Sequence, residues 1–280
     1  MARFAVLLIA ALGLFGAGFG ISQAVRPEPE PGLDAAAVRA VVEEVLAEQE
    51  PVEVAGIDPE ELNPLIESFL MDDPAILQRM SNALETRLAA EERARSTLAI
   101  AALSDKIFEA EGHVVLGNPE GDVTLVELFD YNCVYCRQAL PDLAELLDED
   151  ENLRVILKEF PILSPGSLDA ARVGVLVAES DVDYWQFHEA LFTSQGQVDR
   201  EVALRAAEAL GLSRVSIELD METERVARVI QNSYEIAQGL NITGTPTYII
   251  GDEIIPGAIG AEELRERIAN MRECGETQCG

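Results

Sequence analysis

Lysine is almost missing from this chain. Across 280 residues it occurs twice, at Lys106 and Lys158, and every other basic residue is arginine. Basic residues number 20 against 51 acidic ones, a formal net charge of −31. So acidic a chain should repel nucleic acid and anionic membrane surfaces; the charge reads as a solubilising surface, or else as one for a cationic or metal-ion partner. Histidine is as scarce, with only His113 and His188, and leaves little for a histidine-based metal site. Cysteine occurs at 133, 136, 274 and 279 only. These fall in two close pairs, unlike the scattered cysteines of a small disulfide-stapled protein. Internal repeats are absent too. Hydrophobic residues make up 48% of the chain, which excludes wholesale disorder, and the length suits one sizeable domain with extensions, or two domains.

What the chain does carry begins at its N-terminus. Arg3 is followed by 18 uncharged residues and then by Ser22-Gln23-Ala24, a small-x-small cleavage pattern. This is the grammar of an export signal. The apolar run also reaches the lower edge for a membrane span, although Gly13, Gly16, Gly18 and Gly20 weaken it as one. Residues 1–24 therefore read as a signal peptide or a signal anchor, the latter with Arg3 left cytoplasmic. Either way the rest of the chain faces an oxidising compartment, where disulfide chemistry is at home.

Residues 25–58 read as a linker with one short helix at 35–48. Asp58-Pro59 supplies an N-cap and an N1 proline for the next helix, and Asp73-Pro74 repeats the signal for a long helix reaching about 108. Leu77, Met80, Leu84 and Leu88 recur there at helical spacing. The region 59–108 has too few large apolar residues for a core of its own. Its stripe packs either against the next domain or against other copies of the chain. From 109 to 273 the pattern changes to strands at 113–117, 123–129, 153–158, 247–250 and 253–255. A helix follows Cys133, a helical block spans about 165–240 with breaks near Ser180, Gly196 and Gly211, and a last helix covers 261–273. This order predicts an α/β core with an inserted helical domain, preceded by an α-helical N-terminal extension and followed by a cysteine-containing tail, 274–280.

The chemistry concentrates where the strand Val123-Thr124-Leu125-Val126-Glu127-Leu128-Phe129 runs out. Cys133-Val134-Tyr135-Cys136 sits there, at the start of the following helix. A helix N-terminus offers free N–H groups and a partial positive charge, which stabilise a thiolate at Cys133. That thiolate is the nucleophile of disulfide exchange, and Cys136 can resolve the mixed disulfide. Half of a zinc site has the same spacing, but a strand-to-helix junction is not a zinc knuckle. Paired thiolates also suit Cu(I), which keeps a copper-binding envelope protein as the alternative function. Glu127 lies in the middle of an apolar strand, where a carboxylate must be paired or kept neutral. Lys158, at the end of the next strand, is its candidate partner, as a proton relay beneath Cys136 or as a structural ion pair. Gly244-Thr245-Pro246 directly precedes a core strand. A proline there fits a cis bond that leaves the Thr245 backbone free for a substrate chain, or else an ordinary trans loop.

The segments 129–137 (Phe-Asp-Tyr-Asn-Cys-Val-Tyr-Cys-Arg), Lys158-Glu159-Phe160-Pro161, 185–191 (Trp-Gln-Phe-His-Glu-Ala-Leu) and Gly244-Thr245-Pro246-Thr247 resemble the DsbA-type thiol–disulfide oxidoreductases. Residues 66–87 are similar to the N-terminal helical region of the ScsC-like subgroup. The resemblance covers roughly residues 60–270. It implies a thioredoxin fold, Cys133 as the attacking cysteine, Cys136 as the resolving one, Pro246 as the cis-proline, and Glu127 and Lys158 as the buried acid and lysine. It implies no cofactor beyond the Cys133–Cys136 disulfide and no metal. The expected partners are unfolded or misfolded exported proteins and a membrane redox partner, in the periplasm. A homo-oligomer formed through the N-terminal helices is also expected. The dipeptide between the cysteines is Val-Tyr, where strongly oxidising members have Pro-His, and Thr245 resembles isomerase-type relatives. Oxidase and isomerase activity both remain open.

Tyr131 and Tyr135 flank the pair, as a rim that binds peptide beside Thr245 or as a cover for the disulfide. His188 falls among Tyr184, Trp185, Phe187, Leu191 and Phe192, the pattern of a helical core. Cys274 and Cys279 form a local disulfide, stay free or bind metal; spacing does not choose among these.

Overall fold

The computed structural model describes residues 58–279. The signal segment 1–24 and the linker up to 57, with its short helix, lie outside the described residues. The chain divides into two compact units, Met1–Ile76 and Leu77–Gly280. In the first, α1 (Pro59–Asp72) begins as its sequence dictates. Asp58 caps it by accepting the Glu60 N–H at 2.9 Å, and Pro59 occupies the first turn. The side chains of Leu65, Ile66, Phe69 and Met71 stand exposed on it.

The second unit starts within α2 (Ala75–Ala102), which is exposed along most of its length but buries Ser96 and Ile100. A short π-helical turn, Asp105–Glu109, follows and buries Ile107. The compact division thus falls well before residue 108. The last turns of α2 supply side chains to the core of the second unit instead of forming a separate helical region. The helix expected to reach about 108 ends at Ala102, and the π turn after it carries Ile107 inward.

Five strands follow in a single sheet: β1 (Val114–Gly117), β2 (Val123–Phe129), β3 (Leu153–Glu159), β4 (Thr247–Ile250) and β5 (Glu253–Pro256). Their order is β1-β3-β2-β4-β5, with β2 and β3 parallel and the remaining neighbours antiparallel. The α3 crossover (Val134–Glu149) joins β2 to β3. Five helices separate β3 from β4: α4 (Pro165–Ala178), α5 (Tyr184–Thr193), α6 (Arg200–Ala209), α7 (Arg214–Asp220) and α8 (Glu224–Gly239). The side chains of Ser164, Asp183, Asp199 and Ser213 cap the first four of these, so the breaks between them are written in short polar residues. The final helix, α9 (Ala261–Cys274), ends at Gly275, whose φ of 80° closes the helix in the left-handed region.

Both faces of β2 and β3 are covered, which is why they read as continuous apolar runs. Side chains alternate between faces, and the register sorts them. Leu125, Phe129, Val155, Leu157 and Tyr248 face a core shared with α3, α9 and the inserted helices. Val126, Leu128, Ile156 and Ile249 face a second core with Ile100, Ile107 and Ile236. Replacing Ile107 by alanine should cost about 2–5 kcal/mol in urea unfolding, whereas Leu98→Ala, on the exposed side of α2, should stay within roughly 0.5 kcal/mol. Equal effects would contradict this assignment of the end of α2 to the core.

Candidate active site

Cys133 is the N-cap of α3, with extended backbone angles, and its Sγ accepts the Cys136 N–H at 3.3 Å. Both cysteines are buried free thiols, while Val134 and Tyr135 between them are each 63% exposed. The first turn of α3 therefore turns Val134 and Tyr135 to solvent and keeps both cysteines inside. Across from it, the Thr245-Pro246 bond is cis, and the Thr245 carbonyl accepts the Cys133 thiol at 3.0 Å. Sequence reasoning placed Cys133, Cys136, Thr245 and Pro246 together, and the structure brings all four into one site.

The two thiols differ sharply. Cys133 is lowered from the ordinary 9.0 to about 6. The Cys136 thiol beside it contributes most, against burial, followed by the Thr245 side chain and the backbone N–H groups of Cys136 and Tyr135. Cys136 is pushed far above the usual thiol range by burial, then by Cys133 and by the charge of Glu127. Glu127 lies on the cysteine-bearing face of the sheet, and burial, with the charge of Cys133 second, raises its carboxyl to about 8. It is a neutral acid at neutral pH, within electrostatic reach of the thiol that must lose a proton to resolve a mixed disulfide.

Lys158 does not join it. In the parallel register Lys158 stands beside Leu128, whereas Glu127 stands beside Leu157, so alternation sends the two side chains to opposite faces. The Lys158 ammonium instead donates to the Lys106 carbonyl at 3.0 Å, and burial alone lowers it to about 8. The Glu127–Lys158 pair expected beneath the cysteines is absent, because the spacing between neighbouring strands fixes parity and a one-residue offset reverses the face.

Tyr131 is a second correction. It was a candidate for the peptide-binding rim, but it is buried, and its hydroxyl meets the Tyr184 hydroxyl at 2.9 Å. It packs edge-on against Phe129 and beside His188 and Phe192. Tyr135 alone of the two tyrosines faces outward. His188 lies in this aromatic floor, and burial lowers it to about 3, so it stays neutral. Cys274 and Cys279 form a disulfide in the C-terminal tail.

Two positioning residues went unrecognised in the sequence. The Asp130 carboxylate accepts the backbone N–H groups of Asn132, Ile162 and Leu163 at 2.8–2.9 Å, tying the loop before Cys133 to the loop after β3. Asn132 exchanges hydrogen bonds with the Val198 backbone, at 2.7 and 2.8 Å, and donates to Ser167 at 2.9 Å. It thereby joins the cysteine loop to the inserted helices. The visible signal was the Asp-x-Asn spacing just ahead of a helix, typical of side chains that bond nearby backbone; the long-range partners had no signal.

A Cys-x-x-Cys opening the helix after a central strand, met by a cis-proline loop, is the arrangement of a thioredoxin-like protein. The profile of the DSBA-like thioredoxin domain matches residues 124–269, and the chain belongs to that family. A thioredoxin-like oxidoreductase from Silicibacter pomeroyi DSS-3 is 38% identical, with a TM-score of 0.58; the match covers 61% of this chain and 98% of that one. ScsC of Proteus mirabilis, in a transitional conformation, is 28% identical with a TM-score of 0.56, covering 74% of this chain and 93% of ScsC. The Na(+)/H(+) antiporter NhaA 3 of Salinispora tropica is 30% identical over 187 residues, 65% of this chain, but the match spans only 28% of that relative.

The buried acid has a measurable signature. An unfolded Glu127 titrates near the ordinary 4.5 and the folded one at about 8. Between these values the native state binds more protons than the unfolded one, so stability falls as pH rises across that window and levels off above it. Glu127→Gln removes the dependence. In the disulfide form, the variant should gain roughly 2–5 kcal/mol on the wild type between pH 5 and pH 9 in chemical unfolding. A difference that does not change with pH would contradict a buried neutral carboxyl.

Proposed function

We propose that this chain is an exported protein thiol–disulfide oxidoreductase acting through Cys133 and Cys136 on unfolded or misfolded protein substrates. The observation that carries the reading is the split between the two thiols: one stabilised as a thiolate, the other held protonated beside a buried acid. As a disulfide donor, the Cys133–Cys136 bond is attacked at Cys133 by a substrate thiolate. Cys136 leaves and takes a proton from Glu127. A second substrate thiolate then attacks the substrate sulfur of the mixed disulfide, and Cys133 leaves as a thiolate. The substrate loses two electrons and the dithiol gains them. A stabilised Cys133 thiolate favours the reduced dithiol, which suits disulfide donation. Reoxidation then needs a membrane redox partner that removes two electrons.

The rim of the site fits a polypeptide substrate. Val134, Tyr135, Ile162 and Leu163 stand exposed around the cysteines, and Asp130 anchors the Ile162–Leu163 backbone. Such an apolar border suits the uncovered side chains of an unfolded chain. The export pattern at residues 1–24 supports a periplasmic location. Exposed Leu77, Met80, Leu84 and Leu88, at helical spacing on α2, support self-association through the N-terminal helices, as do the exposed side chains of α1.

Cys133→Ser should abolish exchange with a disulfide-bonded model peptide, and Cys136→Ser should accumulate the mixed disulfide; activity retained in Cys133→Ser would overturn the assignment. A disulfide donor oxidises a reduced unfolded protein and leaves scrambled ribonuclease unrepaired, whereas an isomerase repairs it. Deleting residues 25–88, which spares Ser96 and Ile100, should lower the mass in light scattering to that of a monomer. An unchanged oligomer would remove the N-terminal helices as the interface.

A further inference from the structure

Glu127 and Cys136 are both buried, yet the reaction requires a proton to pass between them and solvent with every turnover. A second buried carboxyl, Glu159, lies on the same face of the sheet. It is the last residue of β3 and stands beside Phe129, two residues along from the level of Glu127. Its Oε1 accepts the Tyr184 hydroxyl at 3.2 Å, and Tyr184 meets the Tyr131 hydroxyl at 2.9 Å, so a hydrogen-bonded chain runs from the segment preceding Cys133 to Glu159. Gly174 lets this happen, since a Cβ there would collide with the Glu159 carboxylate.

Glu159 and Tyr184 together border a cavity of about 10 Å³, roughly the space for one water. His113 and Lys158 also line it, and the His113 Nδ1 is buried without a partner. Exposed Glu111 and half-buried Asn232 stand at its outer side. The charged and titratable groups that act on Glu159 are Tyr131 and Asp130 from the cysteine loop and Tyr184 from α5, while Glu111, His113 and Lys158 line the cavity beside it. The cavity lining from α4 and α8 is neutral, Gly174 and Ser233 among it. Burial first, and the Asp130 charge last, raise its carboxyl well above the ordinary range, so it is held as a neutral acid. Burial first, then the charge of Glu159 and last that of Glu127 raise the Tyr184 hydroxyl well above its ordinary range.

We propose that Glu159, with Tyr184 and Tyr131, is the proton-exchange station through which the buried Glu127 and Cys136 equilibrate with solvent. The proposal rests on the thiol–disulfide reading above. It gives His113 and Lys158 a place in the lining of the cavity beside Glu159, instead of beneath the cysteines.

Oxidation of the reduced protein by glutathione disulfide separates the steps. The Cys133 thiolate displaces one glutathione thiolate and forms a mixed disulfide. Cys136 then gives up its proton, attacks Cys133 Sγ and displaces the second glutathione thiolate. The dithiol is oxidised, glutathione disulfide becomes two glutathiones, and the Cys136 proton passes to the ionised fraction of Glu127, which titrates at about 8. Acid quenching and mass determination count the mixed disulfide over time at several pH values. Glu159→Gln keeps a neutral hydrogen-bonding side chain but exchanges no proton. It should form the mixed disulfide within about twofold of the wild-type rate, resolve it about tenfold more slowly, and flatten the pH profile of resolution. Tyr184→Phe, which breaks the hydroxyl chain and leaves Glu159 in place, should slow resolution in the same way and decides the matter if Glu159→Gln does not fold. Resolution at the wild-type rate and pH dependence in either folded variant overturns the proposal. Failure of glutathione disulfide to oxidise the wild-type dithiol at all would instead overturn the redox reading itself.

Discussion

The sulfur of Cys133 caps a helix, and the rest of the site follows from that placement. The free N–H groups of the first turn of α3 converge on one atom, and Cys136 N–H reaches it directly. The stabilisation acts only on the charged form, so the same geometry that orders the helix also prepares the nucleophile. Fixing Cys133 at the cap forces Cys136 onto the inner side of the turn, where burial keeps its proton on. In the proposed reaction a thiol hidden in this way exchanges its proton with a buried acid, and Glu127 stands on the matching face of β2 because strand alternation puts every second residue there.

Much of the structure exists to hold that loop still. Asp130 fastens it to the segment after β3, and Asn132 fastens it to the inserted helices through Val198 and Ser167. The aromatic floor of Phe129, Tyr131, His188 and Phe192 fills the space beneath, with ring centroids 4.8–6.0 Å apart. Buried amide and carboxylate contacts of this kind resist displacement because a lost partner leaves a desolvated group behind. The inserted helices therefore act on the chemistry by bracing the residues before Cys133.

Local grammar made much of this legible in the sequence. Asp58-Pro59 wrote the start of α1, the apolar runs wrote β2 and β3, and Gly251-Asp252 wrote the turn between β4 and β5, where Gly251 takes a φ of 52°. The cysteines and Thr245-Pro246 were legible because each combines a residue type with a strand or helix end. What escaped was set by tertiary register. Glu127 and Lys158 both read as buried charges near the cysteines, yet only pairing β2 with β3 reveals that they face opposite ways. Tyr131 and Tyr135 are equivalent in sequence, and only the turn of α3 separates the buried ring from the exposed one. Ile107 and the end of α2 looked like part of an appendage because no periodicity announces which end of a helix a distant sheet will cover. The tail disulfide was undecided for the same reason, since proximity of Cys274 and Cys279 depends on where the chain turns after α9.

The central claim is that Cys133 is a stabilised thiolate at neutral pH. Thiolate absorbance at 240 nm, followed against pH in the reduced protein with Cys133→Ser as the blank, measures it directly. The account predicts a half-titration at about pH 6. A Cys133 that titrates near the ordinary 9.0 would show that the helix terminus and its neighbours do not prepare the nucleophile, and would contradict the account.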